Sequence, residues 1–173
     1  MRAAAATTVH KRVPARVDVE ARAVREHRLS LKLWLRMLAC TYRLETEVRL
    51  RLKARFSISL ARFDLMAQLE RTRQGLKMNE LSKRMMVTGG NVTGLTDQLA
   101  KEGLVMREGD PKDRRACVVK LTPAGRALFN RMAVQHAAWI EELLGGLNQT
   151  EKARSYQLLA KLKRHVTDQQ EEA

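Results

Sequence analysis

Residues 79–103 read NELSKRMMVTGGNVTGLTDQLAKEG, and the architecture of the whole chain follows from how this stretch is parsed. Leu81 and Met85 stand four apart near its start, and Val92, Leu95 and Leu99 repeat at three- and four-residue steps near its end. That is the spacing of apolar residues along one face of a helix. Between the two sets, Val87-Thr88-Gly89 makes a tight break, since glycine and small polar residues punctuate helices. Gly103 closes the second helix, where glycine suits the left-handed position just past a helix end. A short helix over 79–86, a turn, and a helix from Gly90 to about Glu102 are therefore expected: a helix-turn-helix.

Toward the C-terminus, Leu104–Arg107 and Arg115–Leu121 have strand character, and Glu108–Arg114 joins them as a hairpin with a charged tip. Thr122 then caps a helix with Pro123 at its first position, where the missing N–H costs nothing. This helix runs to about Leu144 and stops at Gly145-Gly146. A last helix opens at Asn148 or Thr150, carries Leu158, Leu159 and Leu162, and frays over 168–173. Toward the N-terminus, Leu76–Met78 is a short strand, and Ser59 caps a helix bearing Phe63, Met66 and Leu69. Before it, Ser30 opens a long amphipathic helix to about Arg55, with Leu31, Leu35, Leu38, Tyr42, Val48 and Leu52 at helical spacing. About 25 residues at 1.5 Å each span about 38 Å, more than a small domain needs, so this helix is expected to pack against a second subunit. The fold class is mainly α with a small β-wing, a winged helix-turn-helix with long dimerisation helices at both ends. The expected organisation is a basic, mobile arm over 1–29, a helical dimerisation region over 30–56 and 123–167, and a DNA-binding lobe over 57–122.

Composition points the same way. The chain has 173 residues, the size of one domain with an appendage. Lys and Arg number 33 against 19 Asp and Glu, a net charge of +14, which implies a polyanionic partner, nucleic acid before a membrane surface. The first 56 residues alone hold fourteen basic and five acidic side chains. Aromatics are 4% of the chain, which argues against an all-β fold. Cys40 and Cys117 are too few for a disulfide scaffold and match no zinc spacing. Met1–Arg16 lacks the continuous apolar run of a signal peptide, and no 18 uncharged apolar residues run together. A cytoplasmic, nucleoid-associated protein without metal or cofactor is expected. It is not expected to be an enzyme: His10, His27, His136 and His165 are scattered, with no H-E-x-x-H or G-x-S-x-G. Gly89 and Gly94 fit the glycines of a phosphate-binding G-x-x-x-x-G, but Leu95-Thr96 stand where Lys and Ser/Thr are required.

The second helix of the motif is the right size for the major groove. Opposite its apolar face it presents Asn91, Thr93, Gly94, Asp97, Gln98 and Lys101, with Thr88 and Gly90 at its start. Asn and Gln pair with adenine N6/N7 in two-point geometry, Thr meets a base edge or a thymine methyl, and glycines bring backbone N–H groups close to a phosphate. Glycine inside a helix costs about 1 kcal/mol against alanine, so Gly89, Gly90 and Gly94 are expected to make room for DNA or a neighbouring helix. On the hairpin, Lys112, Asp113, Arg114 and Arg115 form a second candidate contact, an arginine entering the minor groove while aspartate holds the guanidinium fork.

The run Asp110-Pro111-Lys112-Asp113-Arg114-Arg115-Ala116, followed by Val119-Lys120-Leu121-Thr122-Pro123-Ala124-Gly125, resembles the wing signature of the MarR family of bacterial transcription regulators. Glu80-Leu81-Ser82, Asn91 through Leu99 and Glu102-Gly103-Leu104-Val105 are similar to that family's helix-turn-helix in order and spacing. The likeness spans about residues 31–166. It implies a homodimer whose first and last helices interlock and whose two winged lobes read a palindromic operator. It also implies repression relieved by a small, often aromatic, compound, and it implies that Asp113 orients Arg115. Many relatives carry arginine where Gly94 stands and another near Gln98, so phosphate affinity here shifts to the wing, Lys101 and the arm.

An effector site is expected from Trp34, Arg36, Met37 and Tyr42 on the first helix, with Arg62, Met66, His136 and Trp139, apolar groups with a few polar ones. In this family, regulators of aromatic-acid breakdown answer to aromatic carboxylates or their coenzyme A thioesters, and the resemblance implies that Arg36, Arg43 and Arg62 would meet such an anion. Two alternatives stand beside this: a thiol-based redox repressor using Cys40, with Arg36 and Arg43 nearby in sequence, and a basic protein binding nucleic acid without sequence preference.

Overall fold

The computed structural model describes residues 29–85, 88–110 and 113–171, with side chains omitted over 110–116 and from 170 onward. The expected arm lies outside these residues, apart from Leu29. In chain order the elements are α1 (Leu29–Phe56), α2 (Leu60–Arg71), β1 (Leu76–Lys77), α3 (Met78–Met85) and α4 (Gly89–Lys101). They continue with β2 (Val105–Asp110), β3 (Asp113–Leu121), α5 (Pro123–Leu143) and α6 (Gln149–Glu171). This is a winged helix-turn-helix framed by long helices. The described residues divide into two compact units, one up to Glu47 and the other from Val48 onward.

Local chemistry sets the element ends. Ser59 accepts from Arg62 N–H at the start of α2, and Thr122 Oγ1 accepts from Gly125 N–H at the start of α5, with Pro123 following. Asn148 and Glu151 cap α6 reciprocally: Asn148 Oδ1 accepts from Glu151 N–H (3.0 Å) and Glu151 Oε2 accepts from Asn148 N–H (2.8 Å). One expectation is corrected. Met78 belongs to a helix rather than a strand, because Glu80 Oε2 accepts from Lys77 N–H (2.8 Å) and so starts α3 directly after the two-residue β1.

The sheet has the order β1-β3-β2, all antiparallel, with Leu76 opposite Val119 and Val105 opposite Leu121. The hairpin is longer than its hydrophobicity implied, since both strands reach the tip and the register breaks at Gly109/Asp110. Backbone pairing carries the ladder past the last apolar residue, and Lys120 bridges to Glu108 across it (2.5 Å).

The core lies in residues 48–173. Leu52, Leu65, Met66, Leu69, Leu81, Val92, Leu99, Val119 and Met132 are buried together. Phe63 stacks on Phe129 (centroids 5.5 Å apart) and against His136 (5.0 Å), tying α2 to α5. Arg51 grips Glu142 with two hydrogen bonds (2.8 and 2.9 Å), and the first effect of that grip is to hold the Glu142 carboxyl below its ordinary range. In α1, only Val48 and Leu52 are buried, while Leu33, Trp34, Leu38 and Tyr42 are exposed. Among its described side chains α6 has no buried residue, and Tyr156 is 77% exposed. No helix among the described residues is long and apolar enough to cross a membrane.

Candidate nucleic-acid interface

Helix α4 is two-faced. Val92, Thr96 and Leu99 are fully buried, and Leu95 packs partly against the same core. Thr96 was not legible as a core residue because threonine is polar. Its hydroxyl donates to the Val92 carbonyl (2.7 Å), which removes the penalty of burying it. On the other face Thr88, Gly90, Asn91, Thr93, Gly94, Gln98 and Lys101 are all exposed, while Asp97, also expected there, is half-buried. Thr88 is the N-cap but its side chain makes no capping bond, which leaves the positive end of the helix to its own backbone N–H groups. Thr93 Oγ1 donates to the Gly89 carbonyl (3.0 Å).

The glycines are informative. A Cβ added at Gly90 or Gly94 would meet nothing within 4 Å among the described residues, and at Gly89 only Ser82 Oγ at 3.9 Å. Neither Gly90 nor Gly94 has a positive φ. Of the two expected reasons for the glycines, a neighbouring helix of the same chain is therefore removed.

Both acids of α4 and its C-cap are neutralised from adjacent elements. Asp97 takes an ion pair from Arg107 of β2 (2.6 Å), and Glu102 takes one from Arg62 of α2. Sequence reasoning missed Arg107 as part of this surface, because nothing in its spacing from Asp97 signals that the turn at Gly103 brings them together. That turn is built tightly. Gly103 has φ +68°, its N–H bonds the Ala100 carbonyl, and Leu104 N–H reaches back to the Leu99 carbonyl (both 2.9 Å), a helix-ending motif that requires the left-handed residue. Thr122 then donates its N–H to the Leu104 carbonyl (3.1 Å) and its hydroxyl to the Gly103 carbonyl (2.7 Å). The end of α4 is thereby bonded to the start of α5.

The wing candidates are placed less fully. Lys112 lies outside the described residues, and Asp113, Arg114 and Arg115 are described as backbone at the start of β3. Of the effector candidates, Trp34, Arg36 and Tyr42 are exposed and Met37 is half-buried on α1. In the second unit, Met66 and Trp139 are buried in the core, Arg62 is engaged with Glu102, and His136 lies half-buried against Phe63. Cys40 is exposed.

Burial holds the His136 pKa below its ordinary value. The unfolded chain therefore takes up the proton first as pH falls, so stability is complete above the unfolded pKa near 6.5 and declines below it. The melting midpoint is expected to drop between pH 7 and 5.5. A His136→Phe variant, melted over the same series, should show a shallower drop; an unchanged slope would assign it to other groups.

A sequence model of the MarR family matches residues 58–117. A curated relative from Bacillus cereus, described as an uncharacterized HTH-type transcriptional regulator, is 29% identical over 143 residues, covering 82% of this chain and 94% of its own length. Among solved structures, a MarR family transcriptional regulator from Silicibacter pomeroyi is 31% identical with a TM-score of 0.69, covering 79% of this chain and 94% of that one. The fold is also that of Sco3205 from Streptomyces coelicolor, a MarR family regulator solved in complex with DNA, at 24% identity and a TM-score of 0.69 over 79% of this chain and 84% of that one.

Proposed function

The chain belongs to the MarR family of DNA-binding helix-turn-helix transcriptional regulators, and from that premise we propose that it is a sequence-specific repressor acting as a homodimer on a palindromic operator. The observation that carries this reading is the exposed face of α4. Asn91 and Gln98 offer two-point pairing to adenine edges, Thr93 offers a hydroxyl and a methyl, and Lys101 meets the phosphate chain. The open sides at Gly90 and Gly94 let the helix backbone approach. In this reading Lys112, Arg114 and Arg115, with Asp113 orienting Arg115, enter the flanking minor groove. Basic residues of the segment 1–28 add phosphate contacts.

The dimer is supported by α6. A helix of 23 residues with no buried residue among its described side chains gains little from its own chain, and Leu158, Leu159, Leu162 and Val166 stay 38–60% exposed. A second copy of the chain covers such a surface. Release by a small aromatic acid or its coenzyme A thioester is supported by the family resemblance. His136 against the Phe63 ring supplies an aromatic surface of the kind such a compound stacks on. A dimeric repressor of this kind would be cytoplasmic and associated with the nucleoid.

Anisotropy of labelled duplexes over a salt series tests the reading. A palindromic site enriched from a random pool should bind at least about 10³-fold tighter than a scrambled duplex, with both affinities falling steeply with salt. Equal affinity for both would leave a basic protein without sequence preference. Peroxide-induced release lost in Cys40→Ser would instead favour the redox repressor.

A further inference from the structure

We propose that the Asp97–Arg107 ion pair is a positioning device that fixes the wing against α4, and so sets the register between bases read in the major groove and contacts made by the wing. This rests on the DNA-binding reading above.

On β2, side chains alternate between the two faces of the sheet, so Val105 and Arg107 point the same way. Val105 is buried in the core. Beyond it, Met106, Arg107, Glu108 and Gly109 are all exposed, so core packing stops holding the strand against the rest of the lobe at Val105. The next residue on that face, Arg107, closes the gap with its guanidinium on the Asp97 carboxylate (2.6 Å). Asp97 precedes the base-facing Gln98 on α4 and follows Gly94 by three residues, so the pair links the recognition helix itself to the outer strand of the wing.

The energetics separate this role from stability. Arg107 and Asp97 side chains are 37% and 44% exposed, and so exposed a pair adds little to folding. An angular constraint on an outer strand that leaves the core at Val105 needs no large energy, and the contact of the Arg107 guanidinium with Asp97 Oδ1 supplies it beyond the anchoring that β3 has through Val119 and β1.

The sign of one substitution distinguishes positioning from plain electrostatics. Asp97 is an acid on the DNA-facing side, so charge alone makes Asp97→Asn bind every duplex more tightly. Positioning makes it bind the specific duplex more weakly. The probe is a duplex enriched from a random pool by the wild-type protein, with a scrambled duplex as control, read by anisotropy and hydroxyl-radical footprinting. Asp97→Asn is expected to weaken the enriched duplex about tenfold without weakening the scrambled one. Protection should be lost at the flanks while the centre of each half-site stays protected. Arg107→Lys, which keeps the charge and loses the planar guanidinium, should act in the same direction. The exchanged pair, Asp97→Arg with Arg107→Asp, should restore the flanking protection. Melting midpoints within about 2 °C of wild type would show that folding is intact. Equal or tighter binding of the enriched duplex by Asp97→Asn overturns the proposal, as does loss of protection spread evenly over the site. Failure of the wild type to enrich any sequence overturns the DNA-binding reading and this proposal together, whereas enrichment with an indifferent Asp97→Asn overturns this one alone.

Discussion

Replacing Gly125 with alanine is expected to destabilise the chain by about 3 kcal/mol, at the upper end of what overpacking costs, and to lower its melting midpoint by about 10 °C. A Cβ at this position would stand 1.9 Å from the Leu104 carbonyl oxygen and 2.8 Å from its carbon. Those are backbone atoms, and they cannot turn aside as the end of a side chain would. The Leu104 carbonyl is also held in place by Thr122 N–H, and Gly125 N–H by Thr122 Oγ1. Relief would therefore move the α4 terminus, the start of α5, or both. Gly125 φ is not in the positive region, so the cost is close approach and not backbone strain. Thermal unfolding followed by circular dichroism measures it. A midpoint within 2 °C of wild type would mean that the approach of α5 to Leu104 is looser than described. Because the end of α4 shifts with Leu104, the proposed operator affinity should fall as well, even at temperatures where the variant stays folded.

The second large effect is expected from Asn91→Ala combined with Gln98→Ala. Each two-point pairing of a side-chain amide with a base is worth about 1–3 kcal/mol of discrimination, so the pair should weaken an enriched duplex by about 30- to 10⁴-fold. Both residues are exposed and touch no core. Stability should hold, and so should affinity for a scrambled duplex, which depends on phosphates and net charge. Anisotropy on both duplexes with a melting curve separates the possibilities. An equal loss on both would place these residues at phosphates, and no loss on either would move base reading away from this face of α4.

Much of the architecture was legible because it depends on short-range rules. Apolar spacing marked α1, α2 and α4, and Ser59, Thr122 and Asn148 marked helix starts through caps that involve residues three apart. The α4 surface was legible for the same reason: once Val92, Leu95 and Leu99 define the inward side, helical geometry puts Asn91, Gln98 and Lys101 outward. Element ends were less so. Met78 joined α3 because of a carboxylate two residues later, and the hairpin outran its apolar pattern because backbone pairing needs no apolar side chains.

The sequence by itself determined that this is a basic, winged helix-turn-helix chain with a long apolar-striped helix at each end, since periodicity, caps and turn chemistry are local and survive in one dimension. Only the tertiary structure decided which charges are cancelled and which glycines are obligatory. Asp97 meets Arg107, Glu102 meets Arg62 and Gly125 meets Leu104, while Gly90 and Gly94 meet nothing described in their own chain. Those outcomes rest on contacts of a few ångströms between segments that no spacing rule connects, and they appear once the turn at Gly103 and the start of α5 have brought the segments together.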